Sequence, residues 1–299
     1  VIWVIGGDRP AITETHDYRP IWRAMAAGID DGTGAFPFKT YHISGGRSTS
    51  GDLHVEAWLD MNMMQSGHGS GRDTPVWEMI AQDYALTPAK PTLDGEINYE
   101  DHPVNPWPEW DPANGYFTDY DVRKQAYRSV FAGGCGVTYG HHFIWQMWDE
   151  GRYAKNNGDT FMSWHVAIDR PGGGQMQHLR ALMESRPYLS RVPAQDVLVS
   201  DAGEGEEHVR ATRDAGGSYI MIYLPKAKPV TVNLGGVSGE TIQVWWYDPR
   251  TGSAVDQGIS VRQDVIEFSP PVSGLGDGEL DWVLVLDDAA EAFPRPGSY

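Results

Sequence analysis

A change of rhythm near residue 192 constrains the fold more than any other feature of this chain. Up to about residue 190, short apolar runs alternate with helix-like stretches, and beyond Val192 strand-like segments follow one another at hairpin spacing. The first pattern implies a parallel sheet with crossover helices, and the second, punctuated by Gly, Pro and Asp turns, implies an antiparallel module. The sequence therefore predicts an α/β part over residues 1–192 and an all-β sandwich over residues 193–299. At 299 residues and 40% hydrophobic content, the chain can bury one large core or two.

The first part opens on IWVIGGDRP, Ile2 to Pro10. A segment apolar at every position predicts a strand buried on both faces, with Asp8 where the strand ends. Further strands are expected at Lys39 to Ile43, Trp58 to Gln65, Lys90 to Glu96 and Val137 to Trp145. Helices are expected near Tyr18 to Ile29, Thr74 to Tyr84, Asp119 to Ala132 and Gly174 to Arg186. Thr118 and Asp121 have the spacing of a capping box, with Gly133 and Gly134 as the stop. In the last helix Met176, Leu179, Leu182 and Met183 form one core-facing stripe. These are about five β/α units, whereas a closed (β/α)8 barrel has eight and typically ~250 residues. The expectation is the C-terminal part of a TIM barrel, strands four to eight, lacking its first three units. In the second part DVLVS, HVRATR, SYIMIYLP, VTVNL, IQVWWYDPRTG, VIEFSPP and DWVLVLDD read as short alternating strands, with DPRTG at Asp248 to Gly252 as a tight hairpin.

Lys and Arg number 23 against 41 Asp and Glu, a formal charge of -18 that disfavours nucleic acid as a partner. The single cysteine, Cys135, excludes an internal disulfide framework and reads as an inert thiol. No run approaches the ~20 apolar residues of a membrane span. Twelve Trp and fourteen Tyr supply flat rings of the kind that stack on sugars, although most such residues form core.

In (β/α)8 barrels the active site lies at the C-terminal ends of the strands. Asp8 follows the first strand and Glu96 ends KPTLDGE; if the first is strand four, Glu96 ends strand seven. Two carboxyls across a barrel mouth can cleave a glycosidic bond, one protonating the leaving oxygen while the other attacks or activates water. Spacing alone equally allows Asp8 to cap a helix and Glu96 to pair with a cation. His16, Gln65, His68, Tyr99, Tyr139, His142 and Trp145 gather near the same rim and are candidate substrate-binding residues, able to stack on a sugar or bond its hydroxyls. A metal site from His16, His68, His141 and His142 lacks a supporting motif, so no metal and no cofactor is expected.

IWVIGGDRP, LDMNMMQSGH, KPTLDGEINYE, DVRKQAYRSVFAGGCGVTYGHH, WQMW, ESRPYLSRVPAQ, VWWYDPRTG and DWVLVLDD, in this order, resemble the apiosidase-like glycoside hydrolases. The resemblance spans essentially the whole chain. It implies a barrel joined to a C-terminal β domain that carries a collagen-binding label, and a bacterial exo-acting enzyme that removes apiose-linked sugars from plant pectin. Asp8, in the GGD motif, would be the acid/base, and Glu96, in GE-x-x-YE, the nucleophile of a retaining mechanism. Burial would hold the Asp8 proton and hydrogen bonds would keep Glu96 ionised. Ile97 stands where relatives often have proline, and Glu100 is a reserve acid. The implied partner is a polysaccharide or oligosaccharide and the implied location extracellular or periplasmic. The alternative is a noncatalytic carbohydrate- or matrix-binding protein with a vestigial barrel.

Overall fold

The computed structural model describes residues 1–152, 162–271 and 280–298. Its first part contains β1 (Trp3–Gly6), α1 (Arg19–Thr33), β2 (Lys39–His42), β3 (Arg47–Ser48), α2 (Ser50–Leu53), β4 (Asn62–Gln65), α3 (Val76–Tyr84), β5 (Thr92–Asp94), α4 (Asp119–Phe131), β6 (Gly136–Val137), α5 (His142–Trp145), α6 (Trp164–Ala167) and α7 (Pro171–Glu184). β1 pairs parallel with β2, and β4, β5 and β6 pair parallel in that order. β2 lies beside β4: the Asp60 N–H donates to Lys39 O at 3.0 Å and the Thr40 hydroxyl to Met61 O at 2.7 Å. The strands thus run β1, β2, β4, β5, β6 in space as in sequence, and β3 adds a short antiparallel rung to β4.

Three expectations need correction here. β1 is not buried on both faces: Ile5 packs into a cluster with Ala11, Ala26 and Tyr41, while Trp3 and Val4 are 40% and 52% exposed. Its one paired edge faces β2, and no strand among the described residues pairs with the other. The strand expected over Val137 to Trp145 stops at Val137, because HHFIW turns into α5, whose first turn is capped by His141 Nδ1 accepting the Phe143 N–H at 3.1 Å. A short apolar run looks the same to periodicity as strand or buried helix. DVLVS is likewise not a strand but a 3-10 turn over Gln195–Val197 followed by a single bridge from Leu198 to Val232.

The second part contains β7 (Arg191–Pro193), β8 (Arg210–Asp214), β9 (Tyr219–Leu224), β10 (Val230–Asn233), β11 (Thr241–Asp248), β12 (Ser253–Val261), β13 (Val265–Phe268) and β14 (Trp282–Asp288). Six strands form one antiparallel sheet in the order β12, β11, β14, β9, β8, β7, and β10 pairs with β13 as a small second sheet. DPRTG closes the β11–β12 hairpin, with the Gly252 N–H on Asp248 O at 2.8 Å.

Alternation fails in the middle of the large sheet, because both of its faces are covered. Ile220, Ile222, Leu284 and Leu286 point into a core with Val230 and Val232 of β10. Tyr219, Met221, Tyr223, Val283 and Val285 point the other way, into a core shared with Val122, Ala126 and Val130 of α4 and Leu179, Leu182 and Met183 of α7. β9 and β14 are consequently buried at every position. The same sandwiching explains α4, whose sequence DYDVRKQAYRSVF is polar yet buried from Tyr120 to Phe131. Its cations are paired: Arg123 with Asp281, and Lys124 and Arg128 with Asp73. The expected capping box is present, with Thr118 and Asp121 satisfying each other's backbone N–H groups.

Candidate active site

Glu96 follows the end of β5 across a single glycine. A Cβ on Gly95 would sit 1.9 Å from Met63 Cε, so the close packing of β5 on β4 requires glycine there. Asp94, one residue earlier, is buried and accepts from Ser66 Oγ at 3.0 Å and Ser129 Oγ at 2.8 Å, tying the end of β5 to β4 and α4. Burial pushes the Asp94 carboxyl up to about 6 despite those bonds. On the other side Ile97 is fully buried in the core shared with α4 and α7, so Glu96 stands between two anchored neighbours.

Two histidines grip the Glu96 carboxylate. His42, at the end of β2, places Nε2 3.0 Å from Oε2, and His68, in the loop after β4, places Nε2 3.0 Å from Oε1. His68 Nδ1 accepts the Tyr99 N–H at 3.3 Å, so the neutral ring carries its proton on Nε2 and donates to Glu96. Burial opposes charge on Glu96, but the hydrogen bonds from His42 and His68 outweigh it and hold the carboxyl at about 2. The bond to Glu96 raises His42, and burial followed by the Glu96 charge raises the Tyr99 phenol. Glu96 is thus an ionised, fixed and partly buried carboxylate, the state a nucleophile or general base requires.

Asp8 lies where the chain turns out of β1, on left-handed backbone with φ 57°. The turn begins at Gly6, whose φ is 89° and whose missing Cβ leaves room for the Tyr41 ring. The charge of Asp8 acts on His42 and Tyr99, the same two side chains that respond to Glu96. Both acids therefore bear on one cluster. The expected burial of Asp8 is not found: the residue is exposed.

The other candidates divide. His68 and Tyr99 belong to the Glu96 cluster, and Gln65 is buried at the end of β4 beside Gly45. His142 and Trp145 line a cavity of about 560 Å³ with His102, Trp107, Trp110 and Gln146. His102 joins this cavity to the cluster, stacking on His68 at 4.1 Å and meeting His142 edge-on at 4.6 Å. His16 makes no such link, since it is exposed, bonded to Thr15 and stacked on Tyr18. Tyr139 is turned toward the α4–α7 core and donates to Glu100 at 2.6 Å. The reserve acid Glu100 is fully buried and accepts that hydroxyl and the Gly172 N–H, so it fastens α7 to the loop after β5. His141 faces Asp101 at 3.1 Å, so the four histidines weighed as metal ligands do not converge. Cys135 is half-buried with its thiol pushed up by burial.

His42, His102 and Trp107 were not expected at this site. His42 was legible in principle, as the polar last residue of KTYH, placed at its strand end as Asp8 and Glu96 are at theirs. DHPVNPWPEW, which carries His102 and Trp107, has no periodicity to place it.

Replacing His42 by Ala removes one of the donors that keep Glu96 ionised. The acid limb of the rate profile should then move up by about one pH unit, because a lost favourable partner raises a carboxyl by that order; an unmoved limb would show that His42 does not tune Glu96. The stability contribution follows the same signs. That of Glu96 is complete above its ordinary 4.5 and fades as pH falls toward about 2, while that of His42 is complete below its ordinary 6.5 and is lost as pH rises through its elevated value.

The family model "Apiosidase-like, catalytic domain" matches residues 1–190, and "Putative collagen-binding domain of a collagenase" matches residues 192–287. A solved glycoside hydrolase is 31% identical with a TM-score of 0.85, over 97% of this chain and 65% of its own. A glycoside hydrolase family 5 structure from Bacteroides vulgatus ATCC 8482 is 31% identical with a TM-score of 0.87, over 99% of this chain and 64% of its own. The chain therefore spans about 65% of the length of these relatives. No curated protein matches it. Its fold is that of a glycoside hydrolase, and over residues 1–190 the chain belongs to the apiosidase-like family.

Proposed function

We propose that this chain belongs to a retaining exo-glycosidase acting on terminal bonds in pectin side chains or similar plant polysaccharide, outside the cytoplasm. The observation that carries the reading is the Glu96 carboxylate fixed between His42 and His68, with Asp8 acting on the same His42 and Tyr99. In the first step Asp8 gives its proton to the glycosidic oxygen while Glu96 attacks the anomeric carbon, and the departing alcohol leaves a glycosyl ester on Glu96. In the second, Asp8 takes a proton from water, whose oxygen displaces Glu96 and frees the sugar. Apiose as the released sugar is what family membership suggests.

The same proposal includes the barrel. The five strands β1, β2, β4, β5 and β6 fit strands four to eight of a (β/α)8 barrel, with three further units between the outer edges of β1 and β6. Both edges are unpaired among the described residues. Beside β6 lies a mainly apolar cavity of about 560 Å³, lined by Val130, Val137, Met176 and Leu179. Such units would cover it and the exposed Trp3 and Val4.

The test uses pectic polysaccharides and synthetic aryl glycosides, with proton NMR of the first product. Sugar release with the anomeric configuration of the substrate is expected. Asp8→Asn should lose polysaccharide turnover by roughly 10²- to 10⁴-fold, the usual share of general acid catalysis, and keep far more activity on aryl glycosides whose leaving groups need no proton. First-formed product of opposite configuration would overturn retention, and an equal loss on both substrates would overturn the acid role of Asp8.

A further inference from the structure

Among the described residues four arginines are at least nine-tenths buried: Arg123, Arg128, Arg186 and Arg210. Three of them meet a carboxylate within 3.1 Å, Arg123 on Asp281, Arg128 on Asp73 and Arg186 on Asp287. Arg210 meets none. Its side chain makes no ion pair and no hydrogen bond with any described residue, and its Nε is sealed from solvent without an acceptor. Burial lowers Arg210 to about 10 with no acid to offset it, which leaves the guanidinium charged at neutral pH. A buried charge of this kind is costly unless an anion faces it.

The neighbours of Arg210 add to the imbalance. Arg210 opens β8 directly after the extended residue His208, so side chains alternate between faces: Val209 and Ala211 pack on the core with β10, and His208 and Arg210 turn the other way. On that face Arg210 stands opposite Tyr223, which points into the core with α4, and His208 stacks on Trp77 of α3 at 3.8 Å. His208 Nδ1 is bonded to Gly203 O at 2.9 Å, and its Nε2 is a second sealed polar atom with no partner. The charges of Arg128 and Arg210 both act on this ring. Asp73, the acid that Arg128 uses, is also held by Lys124 at 2.6 Å, so one carboxylate already serves two cations before Arg210 is counted. The seam between α3, α4 and β8 is thus locally cationic inside a chain of formal charge -18.

We propose that Arg210, with His208 beside it, forms a binding site for a small oxyanion, a carboxylate or a phosphate, at the seam between α3 and β8. The Nη nitrogens of Arg210 are unbonded and, unlike Nε, not sealed from solvent, so the end of the guanidinium is open to a two-pronged acceptor. The anion supplies the counter-ion that the chain itself does not provide. Neither residue belongs to the Glu96 cluster, so the site does not depend on the glycosidase reading.

The experiment is calorimetric titration of the whole chain with inorganic phosphate and, separately, with acetate, on a constant chloride background. Saturable binding of at least one is expected; phosphate alone identifies a tetrahedral anion, and acetate a carboxylate. The His208 ring resonances, identified by their loss in His208→Gln, should shift along the same curve. Arg210→Met keeps the length of the side chain and removes a charge that has no counter-ion, so in chloride it should be at least as stable as the parent. It should weaken binding at least about 10-fold, the loss expected of one charge-assisted hydrogen bond. Arg210→Lys, which keeps the charge without the fork, should bind between the two. With the anion at ten times its Kd, the Tm of the parent should rise about 2 °C more than that of Arg210→Met. Absence of saturable binding by either anion overturns the site, as does binding that survives Arg210→Met or leaves the His208 resonances unmoved.

Discussion

Glu96→Gln loses about 10³-fold or more in kcat while the folded chain persists, the order expected when a group that reacts with substrate is removed. The amide has nearly the shape of the carboxylate but only one oxygen, and two ring nitrogens converge on the site, from His42 and His68. His68 cannot turn its Nε2 into an acceptor without losing the Tyr99 N–H on Nδ1. The Gln oxygen is therefore expected to face His68, leaving its NH2 toward His42, which must then present a bare nitrogen. The variant should accordingly lower the His42 pKa as it removes catalysis, a shift visible in the imidazole proton resonances against pH. Parental turnover would show that Glu96 is not the reacting acid. A fall in turnover with an unmoved His42 titration would show that the two groups are not coupled as described.

How much of this was legible depends on what kind of pattern carries each part. The parallel order of β1, β2, β4, β5 and β6 was readable because buried strands and crossover helices leave apolar runs of different lengths. The capping box at Thr118 and the stripe on α7 were readable because they are local. Asp8 and Glu96 were placed at strand ends by the same logic, and both bear on one cluster. What failed was decided by distant contacts. Tyr139 and Glu100 looked like rim residues until packing turned them onto α7, through Gly172. His16 follows Asp8 in sequence yet finds its partners in its own turn. The polar face of α4 gave no hint that a second sheet would cover it, because burying Arg123 is affordable only with Asp281, 158 residues away.

That pairing makes the second half of the chain an integral part of the first. Arg123 of α4 holds Asp281 through two bonds, at 2.8 and 2.9 Å, and Tyr223 of β9 donates to the same carboxylate at 3.0 Å. Arg186, beyond α7, grips Asp287 of β14 in the same way at 2.8 Å. Around these ion pairs the large sheet and the helices α4 and α7 share one apolar core. Asp281→Asn strips the charge from one end and leaves the buried Arg123 guanidinium with only the half-exposed Asp119, 3.1 Å away, as counter-ion, which costs up to about 3–5 kcal/mol. For a chain of this size that corresponds to a fall in Tm of roughly 5–8 °C. Replacing both partners, Arg123→Met with Asp281→Leu, should recover much of the loss, since a buried pair exchanged whole for apolar groups is often nearly neutral. Because the core is shared, calorimetry should show a single unfolding transition that the single variant moves as a whole. Two transitions, with only the later one shifted by Asp281→Asn, would mean that residues 193–299 fold as an independent module, as a tethered binding domain would. A single transition would give the β part the role of a brace, since one face of its sheet covers α4 and α7 and the other carries β10 and β13.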